Sequence, residues 1–593
     1  MKKAVNIHSS ESRKPTIGAA LIFRAKATLL QLNRAARNQL NDNLARFPIN
    51  NKRSSEPITA ESTVSLWTES KDSEKHLLAG KVHNLRLAIR HLNGAEVPAG
   101  KIFSFWTQVG RASRWKGFVE GRELREGCLI PTTGGGLCQL SSALYDAALR
   151  AGFEIVERHA HTEVIPGSLA EIGRDATVFW NYVDLRFKSQ HCFRIEAAMN
   201  ATSLTIRIRC QVNKSRQQAP AVVRYTNLTL AKAAPQSCAS CDVQDCFRHA
   251  GQSIATGKFG RTAYLVDEYW PEFDDYMCAT KQEEDLLLIP LDGNRFGKAN
   301  YSWSTHAFRH VKQRSVITLL RAYRSRKLAT QGAARQRALL TFHEKLASSY
   351  ASLLTYDVTH VIVMQTLLPF LWRGGHLGGR TFDVLMTGLP MRELHERLDA
   401  AFALHPESDT LADFRADDWL VQTESEALRN ARRIITPHSE IAAIHKNKAV
   451  VINWVMPPRK SSRKPTADKI KIAFPASTVG RKGAYELREA IQGLDVQLVT
   501  VGRELEGRDF WQGISFEKSS DEYWLEGVNA VVLPAFVEHK PRSLLKAIAS
   551  DIPVIASTAC GLGNAQGVIN IQAGDVIALR NEIEKVIAGS HVR

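Results

Sequence analysis

The carboxy-terminal half of the chain alternates short apolar runs with longer amphipathic stretches, and this alternation limits the fold more than any other feature. Apolar runs separated by stretches of helical periodicity are typical of a parallel sheet covered by helices. The first series of predicted strands comprises residues 262–266, 286–290, 358–366, 382–386, 432–436 and 449–453. Residues 256–455 are therefore expected to form one parallel α/β domain.

A polar hinge interrupts this pattern, and a second series of strands follows it. Residues 456–465 are rich in Pro, Lys, Arg and Ser and have almost no apolar content. The predicted strands restart at 469–475, 496–502, 530–534 and 553–557. Two Rossmann-type domains, 256–455 and 456–593, are therefore expected. They should leave a cleft between them, because open α/β sheets bind ligands at the carboxyl ends of their strands.

The amino-terminal part has a different organisation. Residues 1–61 are basic, with a helical stretch at 25–44. This leader is expected to pack on the next domain, and the alternative is a basic helix lying on an anionic membrane. Residues 62–212 mix helix and strand and predict an α+β domain. Residues 213–255 form a polar linker that carries a cluster of cysteines.

The net charge of +18 indicates an anionic partner, such as an acidic lipid surface, a cell-envelope glycan or a phosphorylated donor. An apolar fraction of 44% with 23% charged residues excludes a wholly disordered chain. The basic residues have no interleaved aromatics, which disfavours nucleic-acid binding. No stretch reaches the roughly 18 apolar residues that a membrane span requires. We therefore expect a cytoplasmic location, with peripheral attachment to the inner face of the membrane as an option.

The segment 530–563 has the pattern of an anion site. A predicted strand ends at Pro534, a loop carries Glu538, and a helix begins near Pro541 with Ser543 and Leu544 in its first turn. Free backbone N–H groups at a helix start can hold a diphosphate without any side-chain charge. This turn is the expected contact for a phosphorylated ligand.

This stretch resembles the donor-binding half of GT-B glycosyltransferases, especially the large retaining group in which two glutamates are separated by seven residues. The resemblance is strongest from 470 to the end and extends more weakly back to 262. It implies that Glu538 lies by the donor sugar. It also implies that Arg481, Lys482 and Gly483 neutralise and approach the diphosphate of a nucleotide-sugar donor.

The sequence departs from that family at the second glutamate, where Lys546 stands. A lysine cannot accept hydrogen bonds from the two ribose hydroxyls. Weakened donor binding, a different donor or a non-catalytic domain are the consequences that remain open.

A glycine-rich segment, 371–380, follows a predicted strand of the first Rossmann-type domain. Its glycines would let the backbone approach a ligand closely. His376 within it could activate an acceptor hydroxyl as a general base. An incidental histidine in a surface loop is the alternative.

In the α+β domain, Cys138 follows three consecutive glycines at the start of an amphipathic helix. The helix dipole and the free N–H groups there favour a thiolate. A predicted strand leads to His161, and Asp175 follows later in the chain. The order of cysteine, histidine and acid is similar to that of transglutaminase-like and papain-like enzymes. A structural cysteine with hydrogen-bonded histidines is the alternative.

The span from 63 to 210 resembles the VanW domain family. The resemblance is carried by the segments GGLCQLSS at 135–142, RHAH at 158–161, GRDATV at 173–178 and DLRF at 184–187. It implies a general link to the cell envelope and no particular chemical activity.

Four metal-ligand residues lie within the linker: Cys238, Cys241, Cys246 and His249. Three thiolates and one imidazole suit a tetrahedral zinc, and an iron–sulfur cluster is the other metal option. A redox disulfide or unliganded thiols remain open, and Cys278 is a replacement ligand.

Three functions compete. The favoured one is a VanW-like domain joined to a glycosyltransferase that uses a nucleotide sugar. The second is a cysteine-dependent amide hydrolase or acyl transferase with a glycan-binding carboxy-terminal half. The third is a non-catalytic glycan-binding or scaffold protein, which Lys546 favours. The sugar, the acceptor, the anomeric outcome and the oligomeric state are left open by the sequence.

Overall fold

The computed structural model describes residues 17–67, 74–125, 128–161, 168–180, 183–211, 259–328, 332–412, 415–459, 470–519 and 524–590. The chain divides into two compact units. The first unit comprises 1–261 with 354–360 and 374–381. The second comprises 262–353, 361–373 and 382–593. Helices and strands are numbered in chain order.

The first unit combines antiparallel sheets with a few helices. Its order along the chain is α1 (Ile17–Gln39), β1 (Ile58–Ser65), α2 (Lys75–Ile89), β2 (Ala95–Val97), β3 (Ile102–Ser104), α3 (Phe105–Val109), β4 (Glu120–Arg125), β5 (Cys128–Thr133), α4 (Leu137–Arg150), β6 (Glu154–Glu157), β7 (Arg186–Lys188), β8 (Phe193–Met199) and β9 (Ser203–Cys210). The sheets have the strand orders β1-β9-β8-β2, β3-β7-β6 and β4-β5. Helix α1 pairs through Arg34 with Glu157.

The core of this unit forms where the apolar faces of α2, α4 and β9 meet. Alternate residues of β9 are buried, as expected for a strand with one covered face. In α4, Leu140, Leu144 and Ala147 are completely buried and recur at helical spacing. Helix α4 is therefore anchored along its length, and its amino terminus has a fixed position.

The second unit holds most of a seven-stranded sheet, followed by a six-stranded sheet; residues 261, 358–360 and 381 of the first sheet's strands belong to the first unit. The first of these lobes contains β10 (Arg261–Leu265), α5 (Pro271–Thr280), β11 (Leu286–Ile289), α6 (Gly293–Phe296), β12 (His310–Gln313), α7 (Ser315–Lys327), α8 (Gly332–Ala351), β13 (Val358–Met364), α9 (Leu368–Arg373), β14 (Thr381–Leu385), α10 (Met391–Leu404), α11 (Asp418–Asn430), β15 (Arg433–Thr436), α12 (Ser439–Ile444) and β16 (Ala449–Val451). Its strand order is β12-β11-β10-β13-β14-β15-β16.

The second lobe contains β17 (Ile470–Phe474), α13 (Ala484–Ile491), β18 (Val496–Val501), β19 (Phe516–Ser519), β20 (Ala530–Leu533), α14 (Arg542–Ala549), β21 (Val554–Ser557), β22 (Val568–Ile571) and α15 (Val576–Ser590). Its strand order is β19-β18-β17-β20-β21-β22, and every adjacent pair is parallel. The central strands β20 and β21 are fully buried.

These sheets confirm the predicted fold class. An α+β region with antiparallel strands precedes two parallel sheets, as the alternation of apolar and amphipathic stretches indicates. Within the described part of the chain, every helix is too short or too polar to cross a lipid bilayer.

Candidate functional site

A tight glycine loop sets the start of α4 in the first unit. Gly136 has a φ of 98°, a conformation that side chains larger than glycine rarely adopt. A Cβ on Gly135 would lie 2.3 Å from the carbonyl oxygen of Gly121, so the loop packs directly on β4. The amide of Asn84 donates to the Gly135 carbonyl at 3.0 Å. These contacts fix the loop and place half-buried Cys138 in the first turn of α4.

The structure brings Cys138, His161 and Asp175 together. The thiol of Cys138 lies close enough to the imidazole of His161 to raise the pKa of that ring, and it donates a hydrogen bond to the Val178 carbonyl at 3.6 Å. Nδ1 of His161 lies 2.6 Å from Oδ2 of Asp175. The imidazole of His161 is therefore a neighbour of both the Cys138 thiol and the Asp175 carboxylate. In this arrangement a base can exchange a proton with a nucleophile while an acid holds the base in place.

Asp175 is held in position from several directions. The backbone N–H of His161 donates to Oδ2 at 2.6 Å, and Nη2 of Arg158 donates to Oδ1 at 2.7 Å. Nε of Arg158 also donates to the Asp175 carbonyl at 2.7 Å. Burial raises the pKa of Asp175, but the hydrogen bonds from His161 outweigh it and hold the pKa below its usual value. Asp175 is therefore an ionised acceptor. Arg158, which the sequence argument did not use, is its positioning partner.

The protonation state of His161 follows from these neighbours. Burial disfavours its charged form, but the hydrogen bonds and charges of Asp175 and Cys138 together raise its pKa to about 9. At neutral pH the ring is therefore an imidazolium. It carries a proton that it can deliver to a leaving group.

This raised pKa predicts a pH-dependent stability. The contribution of protonated His161 to the free energy of unfolding is fully present below the ordinary histidine pKa of 6.5. It is lost as the pH rises through about 9, the pKa of His161 in the folded protein. The expected loss in free energy of unfolding is on the order of 2 to 3 kcal/mol. Urea denaturation at about pH 6 and about pH 10 measures it. Asp175→Asn should shrink the difference between the two values, and an undiminished difference in that variant would contradict the assignment.

Buried Lys81 is a residue that the sequence argument missed. Its side chain packs on Gly136, where a Cβ would lie 2.1 Å from Cγ of Lys81. Burial, with a smaller effect from Arg122, lowers its pKa to about 7. The sequence could have indicated its burial. Lys81 lies four positions after Leu77 and four before Leu85, so it shares the apolar face of α2 with these two leucines. It contributes to the support of the loop that precedes Cys138.

In the second unit, Lys482 and Glu538 form a half-buried ion pair. Nζ of Lys482 donates to Oε2 of Glu538 at 2.8 Å and to the Val537 carbonyl at 3.0 Å. The two residues follow β17 and β20, which are adjacent parallel strands. Burial raises the pKa of Glu538, but the ammonium of Lys482 outweighs it, so the pKa of Glu538 lies below its usual value. The pair lies at the carboxyl ends of the strands, as predicted, while Arg481 is exposed.

Side chains of the second unit meet between its two lobes beside this pair. Nε2 of His438, which follows β15, lies 2.9 Å from the Glu538 carbonyl. The backbone N–H of Leu389 donates to Nε2 of His539 at 3.2 Å. A Cβ on Gly388 would lie 2.8 Å from the His539 ring, and one on Gly561 would lie 2.2 Å from the His438 ring. The predicted cleft is closed at these points by the protein's own side chains.

The start of α14 is the predicted diphosphate contact, and there Arg542 is engaged by Glu272 of the other lobe. Arg542 donates to both carboxylate oxygens of Glu272, at 2.6 and 2.5 Å, and its guanidinium lies 5.7 Å from the ring centroids of both Trp270 and Trp454. Further along α14, Leu544 is buried, Ser543 is half-buried and Lys546 is exposed. Glu272, Trp270 and Arg542 were not singled out in the sequence, since their pairing depends on the packing of the two lobes.

Comparison with known proteins identifies part of the first unit. A family model described as VanW like protein matches residues 80–209. Those residues form a VanW-like domain. The uncharacterized protein YoaR of Bacillus subtilis (strain 168) is 39% identical over 109 residues. The vancomycin B-type resistance protein VanW of Enterococcus faecalis (strain ATCC 700802 / V583) is 35% identical over 112 residues. Each match covers 18% of this chain and only 35% and 41%, respectively, of the relatives' own lengths.

Solved structures similar to the chain include glycosyltransferases. The apo form of the lipopolysaccharide outer core galactosyltransferase WaaB is 14% identical, with 56% of this chain and 91% of that chain covered and a TM-score of 0.33. HepE of Anabaena in complex with UDP is 12% identical, with coverages of 56% and 90% and a TM-score of 0.34. Both TM-scores are below 0.5 and both identities are below 25%. Nothing about activity follows from a likeness at this level.

The structure places His376 in the same unit as the VanW-like domain, and therefore in a different unit from Glu538. Its Nδ1 lies 2.6 Å from Nη2 of Arg90. Burial, with the charges of Arg90 and Arg380, lowers the pKa of His376 to about 3. A ring with so low a pKa is a weak base, so this placement does not support the acceptor-activating role that the glycine-rich segment suggested.

The predicted metal ligands Cys238, Cys241, Cys246 and His249 lie outside the described residues. Within the described ranges no three His, Cys, Asp or Glu side chains gather as a metal site would require. The proposed replacement ligand Cys278 is a half-buried free thiol on α5. The zinc or iron–sulfur hypothesis therefore stays a prediction about the linker.

Proposed function

We propose that the VanW-like domain is a cysteine-dependent acyl transferase or amide hydrolase. The observation that carries this proposal is the adjacency of Cys138, His161 and Asp175, next to a fixed glycine loop. A thiol in the first turn of a helix, beside an imidazolium that a carboxylate orients, is an activated nucleophile. The VanW resemblance favours a substrate of the cell envelope, with an amide or ester bond as its reactive group.

The chemistry follows from the positions of the three groups. The Cys138 thiolate attacks the substrate carbonyl carbon, and the carbonyl electron pair moves onto oxygen. When that pair returns, the bond to the leaving amine breaks, and the amine takes the proton of His161. The resulting thioester is attacked by water or by an acceptor amine, whose proton passes to neutral His161 as the Cys138 sulfur departs. Asp175 keeps the ring oriented throughout.

Acylation with p-nitrophenyl acetate tests the proposal on the full chain. The expected result is a stoichiometric burst of p-nitrophenolate together with an acetyl group on the peptide that contains Cys138, detected by mass spectrometry. Cys138→Ser should abolish both signals. Cys192→Ser is the matched control, because Cys192 is another half-buried thiol of the same unit and should not be needed. A burst of equal size in Cys138→Ser would exclude the proposal.

A second candidate function is glycosyl transfer from a nucleotide-sugar donor by the second unit. The half-buried Lys482–Glu538 pair favours it, because an ammonium and a carboxylate at the carboxyl ends of adjacent strands could hold a diphosphate and face a sugar. Binding would require His438 and His539 to give up their contacts between the lobes. Lys546 leaves the ribose hydroxyls without the acceptor that the resemblance implies.

Calorimetric titration with a panel of nucleotide sugars tests this second candidate. Saturable binding of one donor is expected, and Lys482→Met should weaken it by about 10- to 100-fold because a charge-assisted contact to phosphate is lost. The matched control is Lys518→Met, which removes an exposed lysine of the same lobe. Failure of every donor to bind, or equal affinity in Lys482→Met, would argue for a non-catalytic second unit.

A further inference from the structure

Three arginines gather in the first unit without a carboxylate partner. Arg86 and Arg90 lie one turn apart at the end of α2, and Arg380 belongs to the 374–381 segment of the same unit. Each guanidinium is buried or half-buried. Among the described residues, no Asp or Glu forms an ion pair with any of the three, although Asp357 acts on Arg380 from a distance.

Their hydrogen-bond partners are electrically neutral. Nε of Arg86 donates to the Gly378 carbonyl at 2.6 Å, and Nη2 of Arg90 pairs with Nδ1 of His376 at 2.6 Å. Arg380 donates only to backbone carbonyls, including that of Val358 at 2.8 Å. These bonds satisfy N–H groups but leave the positive charges uncompensated. Nε of Arg90 is buried and has no hydrogen-bond partner among the residues that the structure describes.

Uncompensated positive charge in a protein interior is costly, because burial removes the water that would stabilise it. The titration behaviour of the cluster reflects that cost. Burial and the neighbouring arginines lower the pKa of Arg86 well below its usual value and that of Arg380 to about 9. His83 and His376 have pKa values lowered to about 3, so neither ring adds a charge. A cluster built in this way lacks an anion.

A cavity lies near the cluster, but none of the three arginines lines it. A cavity of about 430 Å³ is lined in part by Gly117 and Tyr356. The Gly117 carbonyl lies 3.1 Å from Nε2 of His83, and Tyr356 follows the residue whose carbonyl accepts from Arg380. The carboxylate in the lining, Glu120, is paired with Arg114 at 2.5 Å. The cavity therefore reaches the cluster only through residues bonded to His83 and Arg380, and Arg90 is not part of its lining.

We infer that Arg90, together with Arg86, Arg380 and His376, binds a phosphate-type oxyanion. Guanidinium groups match phosphate oxygens with two parallel donors and are favoured in partly buried sites because they are weakly hydrated. A doubly charged phosphate compensates the cluster better than a single carboxylate, and it gives the orphaned Nε of Arg90 an acceptor. The phosphate belongs either to a small phosphorylated molecule or to the headgroup of an anionic lipid.

Titration of the full chain with inorganic phosphate, at constant ionic strength and monitored by ³¹P NMR, tests the inference. Saturable binding is expected, and Arg90→Gln should weaken it by about 10- to 100-fold. Arg46→Gln is the matched control. Arg46 is an exposed arginine that contacts His91, the residue that follows Arg90 in the chain. The Arg46→Gln variant loses the same charge and should bind phosphate as tightly as the wild type does. Circular dichroism of each variant verifies that it is folded.

A second arm separates the two sources of phosphate. The proteins are sedimented with equimolar vesicles of phosphatidylglycerol and phosphatidylcholine. Retention by vesicles that is lost in Arg90→Gln, without binding of inorganic phosphate, assigns the site to a lipid headgroup. Binding of inorganic phosphate without vesicle retention assigns it to a phosphorylated small molecule. The inference is overturned if the wild type binds neither probe, or if folded Arg90→Gln binds both as tightly as Arg46→Gln.

Discussion

Replacing His161 with asparagine should lower the rate at which p-nitrophenyl acetate acylates Cys138 by about 100- to 10,000-fold. The reason is that His161 links the thiol of Cys138 to Asp175, and asparagine can neither carry the proton nor stabilise the thiolate by charge. The rate of p-nitrophenolate release, measured by stopped-flow absorbance at neutral pH, gives the effect directly.

Two further variants make this result specific. His159→Asn changes an exposed histidine two residues away, which pairs with Glu157, and it should leave the rate within about twofold of the wild type. Asp175→Asn should have an intermediate effect, because His161 remains but loses its orienting acceptor. If His161→Asn and His159→Asn react equally fast, His161 has no role in activating the thiol.

The second large effect is expected on stability, at the contact between Arg542 and Glu272. The carboxylate side chain of Glu272 is completely buried, and Arg542 binds both of its oxygens. Arg542→Ala leaves that carboxylate without its cation, which should reduce the free energy of unfolding by about 3 to 5 kcal/mol. Urea denaturation followed by tryptophan fluorescence measures this loss, because Trp270 and Trp454 lie beside Arg542.

The matched control is Arg580→Ala in the same lobe, where Arg580 pairs with the partly exposed Glu584. Its expected cost is below about 1 kcal/mol, because exposed ion pairs contribute little. In the double variant Arg542→Met with Glu272→Met, both charges are removed together, and most of the stability should return. Equal losses in Arg542→Ala and Arg580→Ala would show that the contact does not hold the two lobes together.

The sequence predicts the interior strands of both parallel sheets and the edge strand β16, but it misses the other three edge strands. Interior strands such as β11 and β20 are buried on both faces, so they appear as continuous apolar runs. The missed strands β12, β19 and β22 are all at sheet edges and are only partly buried. Partly solvated edge strands carry polar residues, so no apolar run marks them.

The candidate sites show the same division. Cys138 could be placed in a first helical turn from local signals, namely three glycines followed by an apolar stripe, and the structure joins it to His161 and Asp175. By contrast, the partners of Arg542 and His376 depend on contacts between segments far apart in the chain. The glycine-rich segment with His376 predicts a loop near a ligand. The sequence does not indicate that this loop belongs to the first unit.

Competitive alkylation with iodoacetamide at neutral pH, with each cysteine quantified by mass spectrometry, tests the central claim most directly. Cys138 should be labelled first, by about 10-fold or more over half-buried Cys192 and Cys278, since it alone of these three contacts the imidazolium of His161. Labelling of Cys138 at or below the rate of Cys192 would contradict the claim that it is an activated nucleophile.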